Sequence, residues 1–345
     1  MNDFDSLNVV ALAGGVGGAK LADGLARILP SESLSIIVNT GDDFEHFGLR
    51  ICPDLDTVCY TLAGLANPET GWGRKDESWT VLENIAQLGG PTWFHLGDRD
   101  LATHLERTRL LRLGYPLTQI TQRFYQSWGI KPAILPMSDD PVTTEVITDE
   151  GVLAFQEYFV LHQCQPKVRG FRFDGIESAR PSAAVMKSLE GAEVVIFCPS
   201  NPWVSLDPIL GLPGIKACLQ SRTVAGKENC HRVVIAVSPI INGKAVKGPA
   251  AKMFVELGLE ASALSVAEHY GSHEEDGLLD GFVLDYMDVY LEREIQKLGI
   301  RTKVTDILMN QTEDRIRLAS EVMAFAMSLL AEKSLHSAEE RSRQK

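Results

Sequence analysis

The chain has no C-x-x-C pair, no excess of basic residues, no complete nucleotide fingerprint and no run approaching the roughly 18 to 20 apolar residues of a membrane span. Its six cysteines, Cys52, Cys59, Cys164, Cys198, Cys218 and Cys230, are scattered, which argues against a zinc site and a disulfide framework. They read as reduced packing residues, Cys52 included, because no neighbouring histidine argues for an activated thiol. Lys and Arg number 33 against 46 Asp and Glu, a formal charge of −13. That balance repels nucleic acid and anionic membrane, so neither is expected as a partner. A phosphate-rich ligand then needs local amides, lysines or a metal. With no apolar span and a polar start, "MNDFDSLN", the chain is expected in the cytoplasm.

What is present begins with "VVALAGGVGGAKLADGL", Val9 to Leu25. A buried strand, a glycine-rich turn and a helix form the usual approach to a phosphate. From Gly15 the dinucleotide pattern fails, because Lys20 stands where a third glycine is needed for close helix packing. The triphosphate loop fails too, since Ala19 and Leu21 flank that lysine.

The 345 residues exceed the usual span of one core, so two domains or one domain with an insertion are expected. Strands at Val9–Ala13 and Leu34–Thr40 flank a helix from about Lys20 to Leu29, and "AEVVIFCPSNP" and "RVVIAVSPI" repeat the buried-strand grammar. Between them the period is helical over 79–130, and "VTTEVITDEGVLAFQEYFV" reads as a hairpin. The expected fold is α/β: a doubly wound, Rossmann-like, mostly parallel sheet formed by 1–60 and 190–330. Residues 61–189 would form an inserted smaller domain of helices and a β-hairpin at the acceptor site, and 331–345 a flexible tail.

Aspartates recur at turns in "NTGDDFEHFG", "CPDLDTV", "HLGDRDLATH" and "PMSDDPV". Asp42, Asp43, Asp54, Asp98, Asp139 and Asp140 are the candidate ligands of Mg²⁺, a hard cation that bridges carboxylates to phosphates. Asp is also common at turns and helix caps, and Asp54 suits a helix start after Pro53. Asp98, Arg99 and Asp100 read equally as surface ion-pair residues, and His104 as a packed or solvated histidine. "PSNP" offers Ser200 and Asn201 at a strand end. "SPIINGKAVKGPAAKM" offers Lys244, Lys247 and Lys252, either for phosphate or as a solvated face.

In order, "GGVGGAKL", "VNTGDD", "CPDLDTV", "LGDRDLATH", "LPMSDDPV", "PSNP", "VSPIINGKAVKGPA" and "VAEHY" resemble the 2-phospho-L-lactate transferase family of coenzyme F-420 biosynthesis, over about Val9 to Phe325. The resemblance implies a Mg²⁺-dependent transferase, commonly a homodimer. It would join the phospho-acid of a guanylylated three-carbon acid, such as lactyl-2-diphospho-5′-guanosine or its phosphoenolpyruvate or phosphoglycerate equivalent, to the ribityl hydroxyl of the deazaflavin FO, releasing GMP. It also implies that Gly14, Gly15, Gly17, Gly18, Lys20, Ser200, Asn201 and Lys252 hold the guanosine diphospho moiety. Asp56, with Asp54, would serve catalysis, and Asp56 would contact the deazaflavin. His95 stands where some members have a deazaflavin-contacting lysine. Two competing readings remain: a dinucleotide-dependent enzyme such as a dehydrogenase, and a nucleotide-sugar-binding regulatory protein of a related family sharing the early loop.

Overall fold

Continuous apolar runs become strands buried on both faces when helices cover the sheet on either side. Among the described residues the central sheet has seven strands, numbered in chain order: β1 (Val9–Ala13), β2 (Leu34–Val38), β3 (Ala133–Pro136), β4 (Val194–Phe197), β5 (Val233–Val237), β6 (Gly281–Asp285) and β7 (Arg301–Thr305); β1, β4, β5 and β6 are buried throughout, whereas the polar edge strand β7 is not. They form one sheet, ordered β7-β6-β5-β4-β1-β2-β3, in which every pairing is parallel. This is the doubly wound α/β arrangement expected from the sequence. The computed structural model describes residues 7–221, 223–227 and 230–343, with side chains described to Leu335.

Alternation along the strands separates two hydrophobic layers. Val9, Ala11 and Ala13 of β1 pack with Ile36, Ile196 and Ile235, whereas Val10 and Leu12 pack with Ile37, Phe197 and Val234 on the other face. The first layer is closed by α1 (Gly15–Ile28), α2 (Pro53–Leu62) and the helix Thr312–Arg343, whose Leu318, Val322 and Met323 are fully buried. Strand β1 pairs with β2 on one side and β4 on the other, so the winding reverses there. A crevice opens beyond the carboxyl ends of strands at such a reversal.

The segment 61–189 holds α3 (Thr80–Gln87), α4 (Asp98–Arg112), α5 (Leu117–Ser127) and the expected hairpin, Thr143–Thr148 with Gly151–Ala154. Val168–Asp174 extends that hairpin to three strands. The segment is not separate from the core. Its strand β3 is the sheet edge beside β2, and Val146, Tyr158 and Val168 share a hydrophobic layer with Leu12 and Phe197. The boundary at 331 also moves, because the last helix runs unbroken from Thr312 to Arg343; residues 344 and 345 of the expected tail lie outside the described residues.

Candidate active site

Helix α1 starts at Gly15, five residues before the expected Lys20, so the glycines form its first turn. Gly14 is the extended N-cap residue, and Gly15 has φ +61°, a left-handed conformation that glycine adopts freely. Gly17 and Gly18 are dictated by packing. A Cβ on Gly17 would stand 2.3 Å from the Pro199 carbonyl oxygen, and one on Gly18 2.5 Å from Ser200 Oγ. Ser200 fastens the turn to the end of β4: its Oγ accepts from the Gly14 N–H at 3.1 Å and donates to the Gly14 carbonyl at 2.8 Å. Asn201 is spent locally, its Oδ1 accepting from the Trp203 and Val204 N–H groups.

Asp54 does not cap its own helix. Its Oδ1 accepts the Gly15 N–H at 2.7 Å and its Oδ2 accepts Asn39 Nδ2 at 3.0 Å, which ties α2 to the glycine turn and to the end of β2. Burial raises its pKa to about 6 despite both hydrogen bonds. Asp42 is buried, and its Oδ1 has no hydrogen-bond partner among the described residues. Burial first, then the Asp54 charge, pushes Asp42 well above the usual carboxylate range. Two buried carboxylates, one of them raised further by the other's charge and left with an orphaned oxygen, form a donor set suited to a hard divalent cation. Asp43 is buried behind them, 3.4 Å from Arg50, and burial moves it to about 6.

These groups open into one cleft of about 610 Å³. It brings together Gly14, Gly15, Gly17, Lys20, Asp42, Asp54, Asp56, His95, Ser200 and Asn201. Gly18 lies behind the turn, against Ser200. Lys20 Nζ donates to the Met309 carbonyl at 2.7 Å, and burial lowers its pKa, with Arg315 and Lys247 adding to the effect. His95 packs edge-on against Trp79 with ring centroids 5.9 Å apart.

Four expected site residues lie elsewhere. Asp98 receives Ser78 Oγ and the Thr80 and Val81 N–H groups, so it caps α3, and it does not line the cleft. Asp139 accepts the Thr118 N–H at the start of α5, and Asp140 accepts the Arg180 N–H; both are exposed and outside the cleft. Lys252 turns to Glu256 at 2.6 Å and to the Tyr158 hydroxyl at 3.3 Å, leaving Lys247 as the cleft lysine of that loop.

Asp56 lines the opposite wall with both oxygens held by the guanidinium of Arg107 on α4. His104, set aside in the sequence reading, lies beside this pair and lines the cleft together with Asp100 and Tyr60. Asp100, His104 and Arg107 are spaced four and three residues apart, one face of a helix. That spacing was the available signal. Asp56, Asp100 and His104 have ligand atoms within 4.8 Å of one another, but Arg107 already occupies both Asp56 oxygens and His104 Nδ1. The aromatic rim of Trp72, Trp93 and Phe94 also escaped the reading.

A doubly wound sheet with a glycine turn, a buried carboxylate pair and a cleft at the strand reversal defines a Rossmann-like α/β protein with a candidate small-molecule cleft. The model of the family described as 2-phospho-L-lactate transferase CofD matches residues 9–321, and the chain belongs to that family of transferases in coenzyme F-420 biosynthesis. Similar proteins include the phosphoenolpyruvate transferase of Streptomyces griseus, 39% identical over 94% of this chain and 100% of its own length. That of Streptomyces avermitilis is 41% identical over 93% and 98%, and that of Thermobifida fusca 40% over 94% and 99%. Among solved structures, a Bacillus halodurans protein of the upf0052 family shares the fold, with TM-score 0.59 and 13% identity over 92% of this chain and 98% of its own.

Proposed function

We propose that the chain transfers the phosphoenolpyruvate unit of a guanosine diphospho ester to the terminal ribityl hydroxyl of the deazaflavin FO. The acceptor oxygen attacks the phosphorus that bears the three-carbon acid. The bond from that phosphorus to the bridging oxygen breaks, GMP leaves with the electron pair, and the hydroxyl proton is released. The product is the dehydro form of coenzyme F-420-0. The observation that carries this reading is the convergence of the glycine turn, the Asp42 and Asp54 pair and Asp56 on one cleft. Relatives 39% and 41% identical, named phosphoenolpyruvate transferases, support that acid over lactate.

Each part has a role that its chemistry suits. The amides of the first turn of α1 and the ammonium of Lys20 favour diphosphate oxygens. Asp54 keeps the turn in place through Gly15. The orphaned Asp42 oxygen fits a metal: Asp42 and Asp54 would hold Mg²⁺, which, when bound, neutralises charge on the phosphate oxygens. Trp72, Trp93 and Phe94 suit a flat ring system at the cleft rim. By the family resemblance the active species is a homodimer in the cytoplasm, which the protein's mass in solution tests for the first part.

Incubation with FO and equal amounts of the guanylylated phosphoenolpyruvate, phospholactate and phosphoglycerate, with mass analysis of the product, is the test. The dehydro product should dominate. Dominance of the saturated product would replace the acid, and failure to couple any of the three to FO would overturn the reading.

A further inference from the structure

The wall of the cleft opposite the glycine turn is made where α2 packs against α4. Asp56 of α2 is 6% exposed and Arg107 of α4 3% exposed, so their ion pair is almost wholly withdrawn from water. Arg107 Nη1 donates to Asp56 Oδ2 at 3.0 Å, and Nη2 donates to Oδ1. The same Nη1 lies 3.2 Å from His104 Nδ1. Because a guanidinium has no acceptor, Nδ1 must accept, and the ring proton sits on Nε2. Nε2 is buried and faces Asp100 Oδ1 at 3.4 Å. Asp100 is held in turn by the Tyr60 hydroxyl at 2.7 Å.

This arrangement decides what Asp56 can do. A general base finishes its step with a proton on one of its oxygens. On Asp56 that proton would neutralise the carboxylate and leave a buried guanidinium without its counter-charge, which is strongly unfavourable. Accepting one more hydrogen bond has no such cost, since a carboxylate offers about four lone-pair sites and the fork of Arg107 uses two. Beside that acceptor, the buried Nε2 of His104 is turned to Asp100, so the ring braces Arg107 through Nδ1.

We propose that Arg107, braced by His104, is a positioning residue of the acceptor subsite: it fixes Asp56 as a hydrogen-bond acceptor for a polyol hydroxyl, so that Asp56 orients the hydroxyl without taking its proton. This rests on the reading of FO as acceptor. It assigns the affinity of the polyol, rather than the rate of the bound complex, to the Asp56 and Arg107 pair.

Fluorescence titration with FO and steady-state kinetics on Asp56→Asn, Arg107→Met and the double variant test it. Each single change should weaken FO binding roughly 10- to 100-fold, the worth of a charge-assisted hydrogen bond. The rate at saturating FO should stay within a few-fold of wild type, with guanosine diphosphate affinity unchanged. The double variant should bind FO no more weakly than Asp56→Asn, because Arg107 acts through Asp56. A fall of about 100-fold or more in the saturated rate of Asp56→Asn, with FO affinity retained, would make Asp56 the base and overturn the proposal. Additive losses in the double variant would equally overturn the role of Arg107. Should a single variant fail to fold, Arg107→Met with its unpaired carboxylate or Asp56→Asn with its unpaired guanidinium, the double variant, which buries neither charge alone, still decides between base and acceptor. Wild-type protein that does not bind FO overturns the proposed function and this inference together; wild-type binding with unaffected variants overturns this inference alone.

Discussion

At the scale of single residues, the site is a set of groups whose stability and task conflict. Asp54 and Asp43 each have a folded pKa of about 6 against 3.8 for the free side chain, because burial penalises the charged form. The folded state therefore binds more protons between about pH 4 and 6, and its stability falls as pH rises through that window. Without a metal, the protein should melt at a higher temperature near pH 5 than near pH 8, as far as these groups decide it. Adding Mg²⁺ should raise the melting temperature more at pH 8, where the carboxylates are available to bind, than at pH 5. Equal rises at both pH values would remove the metal from these residues. Asp42→Asn should stabilise the metal-free protein and abolish the Mg²⁺-dependent rise, with transfer activity lost. Excess chelator should likewise stop product formation, and Mg²⁺ should restore it.

The glycines of the turn separate on the same physical grounds. Gly17→Ala places a Cβ 2.3 Å from a backbone oxygen of Pro199, an overlap that no rotamer relieves, and should cost about 1–3 kcal/mol of stability. Gly15→Ala meets only Asp54 Oδ1, at 3.8 Å, and carries the left-handed backbone penalty alone, about 1–2 kcal/mol. Urea denaturation distinguishes them: if Gly17→Ala is neutral, the glycine turn is not pressed against β4 in the way described. For a nucleotide-binding test Gly15 is therefore the cleaner position.

At the scale of elements, what was legible in the sequence followed from periodicity. Val9–Ala13, Val194–Phe197 and Val233–Val237 are apolar without interruption, because each is covered on both faces, and the reading found them, whereas Gly281–Asp285, equally interior, was not found. The edge strand Ala133–Pro136 was absorbed into the inserted segment: four residues ending in proline carry little strand signal, and only pairing with β2 makes them one. The start of α1 was placed too late because glycine lowers helix propensity, whereas here it is kept by contact with Pro199 and Ser200. Among the aspartates, composition could not separate ligands from caps. Asp98 fixes the start of α3 and Asp139 that of α5, tasks that a short carboxylate performs as well as metal binding. Asp98→Ala should therefore lower the melting temperature modestly and leave the Mg²⁺ dependence of activity unchanged. A loss of metal response in that variant would return Asp98 to the site. The partnership of Asp56 and Arg107, fifty-one positions apart, was invisible for a different reason: it exists only where α2 and α4 cross.

At the scale of the whole molecule, the segments that the sequence divides are joined by shared layers. Residues 61–189 contribute β3 to the central sheet and Tyr158 and Val168 to its hydrophobic face, so thermal unfolding should show one cooperative transition by both near- and far-ultraviolet circular dichroism. The carboxyl-terminal helix is joined in the same way. It lays Leu318, Val322 and Met323 against α1, and beyond the expected boundary at 331 Lys333 Nζ still reaches Asp280 Oδ1 at 2.5 Å and the Arg232 carbonyl at 3.1 Å. Asp280 is not a surface bystander: its Oδ2 accepts the Val234 N–H of β5, so the ion pair ties the helix to the sheet, with Asp280 only 10% exposed. Removal of residues 331–345 would leave a buried carboxylate facing His273 at 3.7 Å in place of the lysine. A chain ending at 330 should therefore melt several degrees below the full chain, whereas one ending at 335 keeps Lys333 and should melt close to it. Lys333→Met in the full chain should reproduce most of the loss, which isolates the ion pair from the length of the helix. If the chain ending at 330 melts with the full protein, Lys333 contributes nothing and the final segment is the dispensable tail that its composition suggests.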